Sequence, residues 1–174
     1  MKKALKYFAL CALLAAPLMG ADFSAVKGYW VIPDENTNKP ESVALFYERG
    51  GLYFARMVLL YDDAGVEVCE TVSNPREIAK GLGPGVKLLG LDFIFNLKPD
   101  SKSGRLKGKV VNPDSGKVFD CEVWFDSKRN ALVVRGEILI FGKNNYWKKI
   151  QADKIPKDAQ IHDRNLAPNL PKSS

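Results

Sequence analysis

GRLKGKVVNPDSGKVFDCEVWFDSKRNALVVRGEILIFG, residues 104–142, is the stretch whose reading decides the fold. It reads as three consecutive strands joined by two tight turns. In the middle strand, Phe119, Cys121, Val123 and Phe125 fall on one face, and Asp120, Glu122 and Asp126 on the other. Period-two alternation is what a strand shows when one face is buried and the other meets water. Trp124 joins the outer face, so that face is not wholly polar. The run 131–140 alternates in the same way, with Leu132, Val134, Ile138 and Ile140 on one side. Asn112-Pro113-Asp114-Ser115-Gly116 combines a fixed φ, a side-chain acceptor and a permissive glycine, and Asp126 to Asn130 forms a second turn without proline. Connections this short favour antiparallel hairpins over helical crossovers.

Outward from this meander the pattern repeats. Runs 28–32, 42–47, 52–60, 87–97, 105–111 and 145–150 complete a set of about eight strands with 117–126 and 131–140. Glu48-Arg49-Gly50-Gly51 is a hairpin turn. The irregular stretch is 61–87, where Asn74-Pro75 and Gly81 frame a short helix near 74–80. With short connections elsewhere and no long amphipathic helix, the chain is expected to be all-β: an antiparallel up-and-down barrel that closes on itself and leaves no exposed edge. An eight-stranded barrel has room for packed side chains or for one small ligand.

The ends read differently. Lys2, Lys3 and Lys6 precede an apolar run to Met19 and small residues at Gly20 and Ala21. This is the composition of a cleaved export signal, residues 1–20, and the run is short for a membrane span. Cys11 lies too early, inside the apolar run, for a lipoprotein signal. The expected organisation is therefore signal 1–20, barrel 21–150 and a polar, proline-containing, loosely attached tail 151–174. The expected location is the periplasm or the medium, with no stable membrane span after cleavage. The net charge of +6 falls to +3 without the signal lysines. Basic residues are scattered, which speaks against a nucleic-acid partner. In an oxidising compartment Cys69 and Cys121 are expected to pair as a disulfide, with two buried thiols as the alternative.

Chemistry-bearing residues are few. The only histidine, His162, lies in the tail, so neither a nucleophile–histidine pair nor a histidine metal site is indicated. Asp62, Asp63, Glu67 and Glu70 surround Cys69 without calcium-loop spacing, and Gly81-x-Gly83-x-Gly85 lacks the Lys-Ser/Thr of a phosphate loop. No cofactor, metal or catalytic residue is assigned, and the chain is read as a non-enzyme. Phe54, Phe93, Phe95 and Phe119 are candidate ligand-wall residues, with Arg135 and Arg56 as polar contacts. Arg56 sits on an otherwise apolar strand face and needs a partner if it points inward; it could anchor a carboxylate. The alternative is an Arg56 that is outside and solvated.

The ordered set of motifs resembles a widespread, uncharacterised family of small exported bacterial β-barrel proteins, related in pattern to the lipocalins and other calycins. The elements are Gly28-Tyr29-Trp30, Leu88-Leu89-Gly90-Leu91, Gly108 through Asn112-Pro113 to Gly116-Lys117, Phe119 and Cys121, Leu132 to Gly136, and Trp147. They span most of 28–149. Phe119 stands where Tyr is usual, Lys149 where Arg often follows the late Trp, and the tail is extra. The resemblance implies a lipocalin-like barrel in which Trp30 plugs one end beneath a basic side chain, Arg135 or Lys149. It carries no activity. The expected function is binding of a small hydrophobic or amphipathic molecule, including one bearing a carboxylate. The alternative is a solid-cored envelope or secreted protein-interaction module that acts through 61–87 and the tail.

Overall fold

The computed structural model describes residues 23–136, 144–162 and 166–171. The expected signal 1–20 and positions 137–140 of the expected 131–140 strand lie outside them. Nine strands are described: β1 Gly28–Pro33, β2 Pro40–Arg49, β3 Leu52–Tyr61, β4 Val68–Thr71, β5 Asp92–Asp100, β6 Arg105–Val111, β7 Val118–Asp126, β8 Ala131–Gly136 and β9 Asn144–Ile150. They hydrogen-bond in the order β2-β1-β9-β8-β7-β6-β5-β3, and β2 also pairs with β3. That pairing closes an antiparallel, lipocalin-like barrel of eight strands. The ninth, β4, pairs with the far end of β3 outside the ring.

The central meander is as read. Cys121 pairs with Gly108 on one side and Gly136 on the other. Phe119, Cys121, Val123 and Phe125 face the main core with Trp30, Leu106, Leu132 and Trp147.

Two strands depart from simple alternation. The run 87–97 is not one strand: Ile78 and Lys87 form an isolated bridge, Gly90 turns the chain at φ 90°, and β5 begins only at Asp92. It then runs on to Asp100, past the expected end at 97. Within β5 the register shifts, Asn96 adopts φ 55°, and Ile94 enters the core. Gly108 makes room for this bulge: a Cβ there would lie 2.8 Å from both the Asn96 carbonyl oxygen and the Leu97 Cα. In β3 the interior residues are Ala55 and Met57, and Phe54 and Arg56, read as candidate ligand-wall and anchor residues, point outward. The short helix expected near 74–80 is instead a single 3₁₀ turn at Lys80–Leu82.

The segment after β9 is not loosely attached. Ile155 and Ala159 are buried against Tyr29, Val43, Val58 and Leu59, forming a second apolar cluster on the outer wall of β1, β2 and β3. The Tyr29 hydroxyl accepts the Ile161 N–H at 2.9 Å.

Candidate functional site

One end of the barrel is filled. Trp30 is fully buried, and its indole N–H donates to the Val26 carbonyl at 2.7 Å. Gly28 takes φ 116°, a conformation that side chains disfavour, and so lets the chain turn from the 3₁₀ segment Ser24–Val26 into β1. The Lys149 ammonium lies 5.1 Å from the centre of the Trp30 ring and donates to the Ala25 carbonyl. Lys149, not Arg135, is therefore the basic cover. Arg135 is exposed on the outer face of β8.

The other end is hollow. A cavity of about 610 Å³ enters the barrel there, within the roughly 300–1,000 Å³ range of small-molecule sites. Met57 and Leu60 of β3, Phe93 and Ile94 of β5, Val110 of β6, Val134 of β8 and Trp147 of β9 form its wall. Phe93 lies against Trp147 with centroids 6.2 Å apart, and Phe46 packs on the same indole at 6.0 Å. The mouth is polar: Asp34, Glu35 and Asn36 come from the β1–β2 loop, Glu41 from β2, and Asn112 to Asp114 from the β6–β7 turn.

The mouth is built by local backbone chemistry. Asp34 Oδ1 accepts the N–H groups of Asn36 and Thr37 and the Thr37 hydroxyl; these bonds hold its carboxyl below the usual range. Asn112 Oδ1 accepts the Asp114 and Ser115 N–H groups. The long β4–β5 connection braces this turn: Gly81 donates to the Pro113 carbonyl, and a Cβ on Gly81 would lie 2.1 Å from the Gly116 nitrogen. Partial desolvation at the rim, together with Asp34, Glu35 and Asp114, raises the Glu41 carboxyl.

Of the expected ligand-wall residues, only Phe93 lines this cavity; Trp147, the late Trp of the motif set, lines it as well. Phe95 and Phe119 are half-buried against the core away from it. Phe54 stacks on Tyr47 on the outer wall, with centroids 5.4 Å apart. Arg56 is neither a cavity anchor nor solvated. It is buried outside the barrel, with Nε at 3.1 Å from Asp92 Oδ1 and Nη2 at 2.8 Å from Oδ2. Nη2 also donates to the Ala167 carbonyl at 2.7 Å, while Asp92 Oδ2 accepts the Tyr47 hydroxyl and the Asn169 N–H. Burial, followed by the carboxylate it bonds, raises the Tyr47 phenol. The C-terminal segment thus straps a buried ion pair whose Nε and Nη2 donors are taken up within the protein.

The wall residues Met57, Ile94, Val110 and Val134 and the acidic mouth were not singled out from the sequence. A signal for the mouth existed: in an eight-strand meander, alternate loops share one end, which places 34–39, 62–91 and 112–117 together.

Cys69 and Cys121 are both free, Cys69 exposed and Cys121 buried, so the disulfide expected between them is absent. They belong to different places: Cys69 sits on peripheral β4 and donates to the Leu60 and Tyr61 carbonyls, while Cys121 lies inside the barrel. Burial pushes the Cys121 thiol up to about 12. The acids around Cys69 serve the chain itself. Asp62 caps the Val66 and Glu67 N–H groups, and Glu70 accepts from Arg76 and Glu77. Among the described residues no histidine, cysteine and carboxylate cluster could hold a metal, and no helix is long and apolar enough to cross a membrane.

A profile of the bacterial family described as "Uncharacterized protein conserved in bacteria (DUF2147)" matches residues 28–149. Among solved structures, the fold is similar to that of protein HP1028 from the human pathogen Helicobacter pylori, described as belonging to the lipocalin family. The TM-score is 0.54 at 20% identity, over 74% of this chain and 84% of that one. No curated protein matches the chain.

Proposed function

The chain belongs to the bacterial DUF2147 family, and from that premise we propose that it is an exported, non-catalytic binding protein for a small apolar or amphipathic molecule. The observation that carries this reading is the division of the barrel interior: packed beneath Trp30, hollow for about 610 Å³ at the opposite end. The hollow is walled by aliphatic and aromatic side chains, with polar groups gathered at its mouth. This is the distribution that buries a ligand's apolar body and leaves its polar part near water. The first 20 residues would direct export and be removed. Action as a protein-interaction module through the tail finds less support, because Ile155 and Ala159 are already buried on the barrel.

Mass spectrometry of the protein purified natively from its own host tests the proposal. The expected result is a co-purifying apolar or amphipathic species that is lost from a cavity-filling Val134→Trp variant. A second filling variant, Val110→Phe, covers a failure of the first to fold. Wild-type protein recovered empty, and unable to take up alkyl probes added afterwards, would overturn it.

A further inference from the structure

The charge at the cavity mouth names the class of ligand. Four of the residues lining the cavity are acidic, Asp34, Glu35, Glu41 and Asp114, and among the described lining residues none is basic. These acids come from the β1–β2 loop, the start of β2 and the β6–β7 turn, which the barrel brings to one cavity. Among the described residues no lysine or arginine forms an ion pair with Glu35, Glu41 or Asp114. The charges that act on Glu41 are all negative, while Lys39 acts on Asp34. This acidic ring sits on a chain whose net charge is +6, or +3 without the signal lysines, so it is a local feature and not a consequence of composition. The Lys149 ammonium lies over the Trp30 ring at the opposite, closed end. The buried guanidinium of Arg56 is outside the wall and already paired.

A carboxylate-bearing ligand with its tail among Met57, Phe93 and Trp147 would bring its head group into this ring of like charge. We propose that the ligand is a cationic amphiphile: an apolar body for the barrel and an amine or quaternary ammonium group for the acidic mouth. A positive head group relieves the mutual repulsion of the carboxylates as it binds, whereas a negative one adds to it. The cavity walls offer apolar contact to either ligand, so the discrimination is electrostatic and belongs to the rim. This inference rests on the cavity being the binding site.

Three probes with one chain length separate the two readings: decyltrimethylammonium, decanoate and decanol. Each is titrated below its micelle concentration into the mature protein at low ionic strength, with Trp147 fluorescence or calorimetry as the readout. The expected order is decyltrimethylammonium tighter than decanoate by at least about tenfold, the sum of several weak rim interactions. That gap should narrow in about 0.5 M salt, where the Debye length shrinks to a few ångströms. It should also narrow in the double variant Glu35→Gln/Glu41→Gln, whose fold is checked by circular dichroism. Decanoate binding as tightly as the cationic probe, or more tightly, would overturn the charge inference and leave the cavity reading standing. Failure of all three to bind would overturn the cavity reading and this inference with it.

Discussion

Arg56 and Asp92 are 36 positions apart in sequence, yet they form a bidentate pair with both side chains buried. The arginine was conspicuous in the sequence because it interrupts an apolar strand face, and a buried guanidinium demands a partner. Which partner was not legible: that depends on the β3–β5 register, where a shift brings Arg56 opposite Asp92. Removing one member leaves the other charged and buried. Arg56→Ala is therefore expected to lower the unfolding free energy by about 3–5 kcal/mol, measured by urea titration, with Arg56→Met/Asp92→Leu less damaging than either single change. The cysteines give a second prediction at this scale. Cys121, with its thiol pushed up to about 12 inside the barrel, should not react with a maleimide at neutral pH, whereas exposed Cys69 should. Native protein lacking the signal segment should label at one thiol and denatured protein at two, without a reductant. A native protein that labels at neither position until reduced would contradict the free-thiol arrangement.

At the scale of elements, what could be read was what local periodicity controls. β7 alternates without interruption, and its core face follows directly from the sequence. β5 does not, because the Asn96 bulge and the Gly108 gap insert a break that no period reveals. The cavity wall follows the same logic: Phe93 and Ile94 both join it where the β3–β5 register shifts. The tail was opaque for a different reason. Its apolar residues are sparse, and its contacts lie far away in sequence, as in the Tyr29–Ile161 hydrogen bond across 132 positions. Its role is nonetheless to cover: Ile155 and Ala159 seal the outer apolar patch, and the Ala167 carbonyl and Asn169 N–H complete the Arg56–Asp92 pair. Deleting 151–174 is expected to destabilise the barrel by about 2–4 kcal/mol or more, through lost burial and unpaired polar groups. Thermal unfolding of the truncated chain checks this; a melting temperature equal to that of the full chain would return the segment to a loosely attached tail.

The whole molecule is a barrel with two unlike ends, and its electrostatics divide in the same way. At the closed end a lysine covers an indole, a favourable pairing. At the open end carboxylates face one another without a cation among the described lining residues. Asp34 is held there by its loop hydrogen bonds, whereas Glu41 meets only like charges, and the sign of that repulsion can be worked out from it. Its carboxyl is raised by rim desolvation and by Asp34, Glu35 and Asp114, so the folded state holds the proton more tightly than the unfolded chain does. Stability linked to this group is therefore greatest below the ordinary glutamate range and is lost as pH rises through the raised value. Glu41→Gln should have no effect on the melting temperature in acid. It should raise the melting temperature modestly at neutral pH, by an amount within the roughly 0.5 kcal/mol of surface substitutions. The same variant should gain less than the wild type from saturating decyltrimethylammonium, because the repulsion that the cation relieves has already been removed. A site that destabilises its own empty form while strengthening its complex is the trade expected of a binding surface. Melts across pH, with and without the cationic probe, measure both halves; a Glu41→Gln variant that is less stable at neutral pH, yet equally stabilised by the probe, would place Glu41 in the scaffold and not at the binding rim.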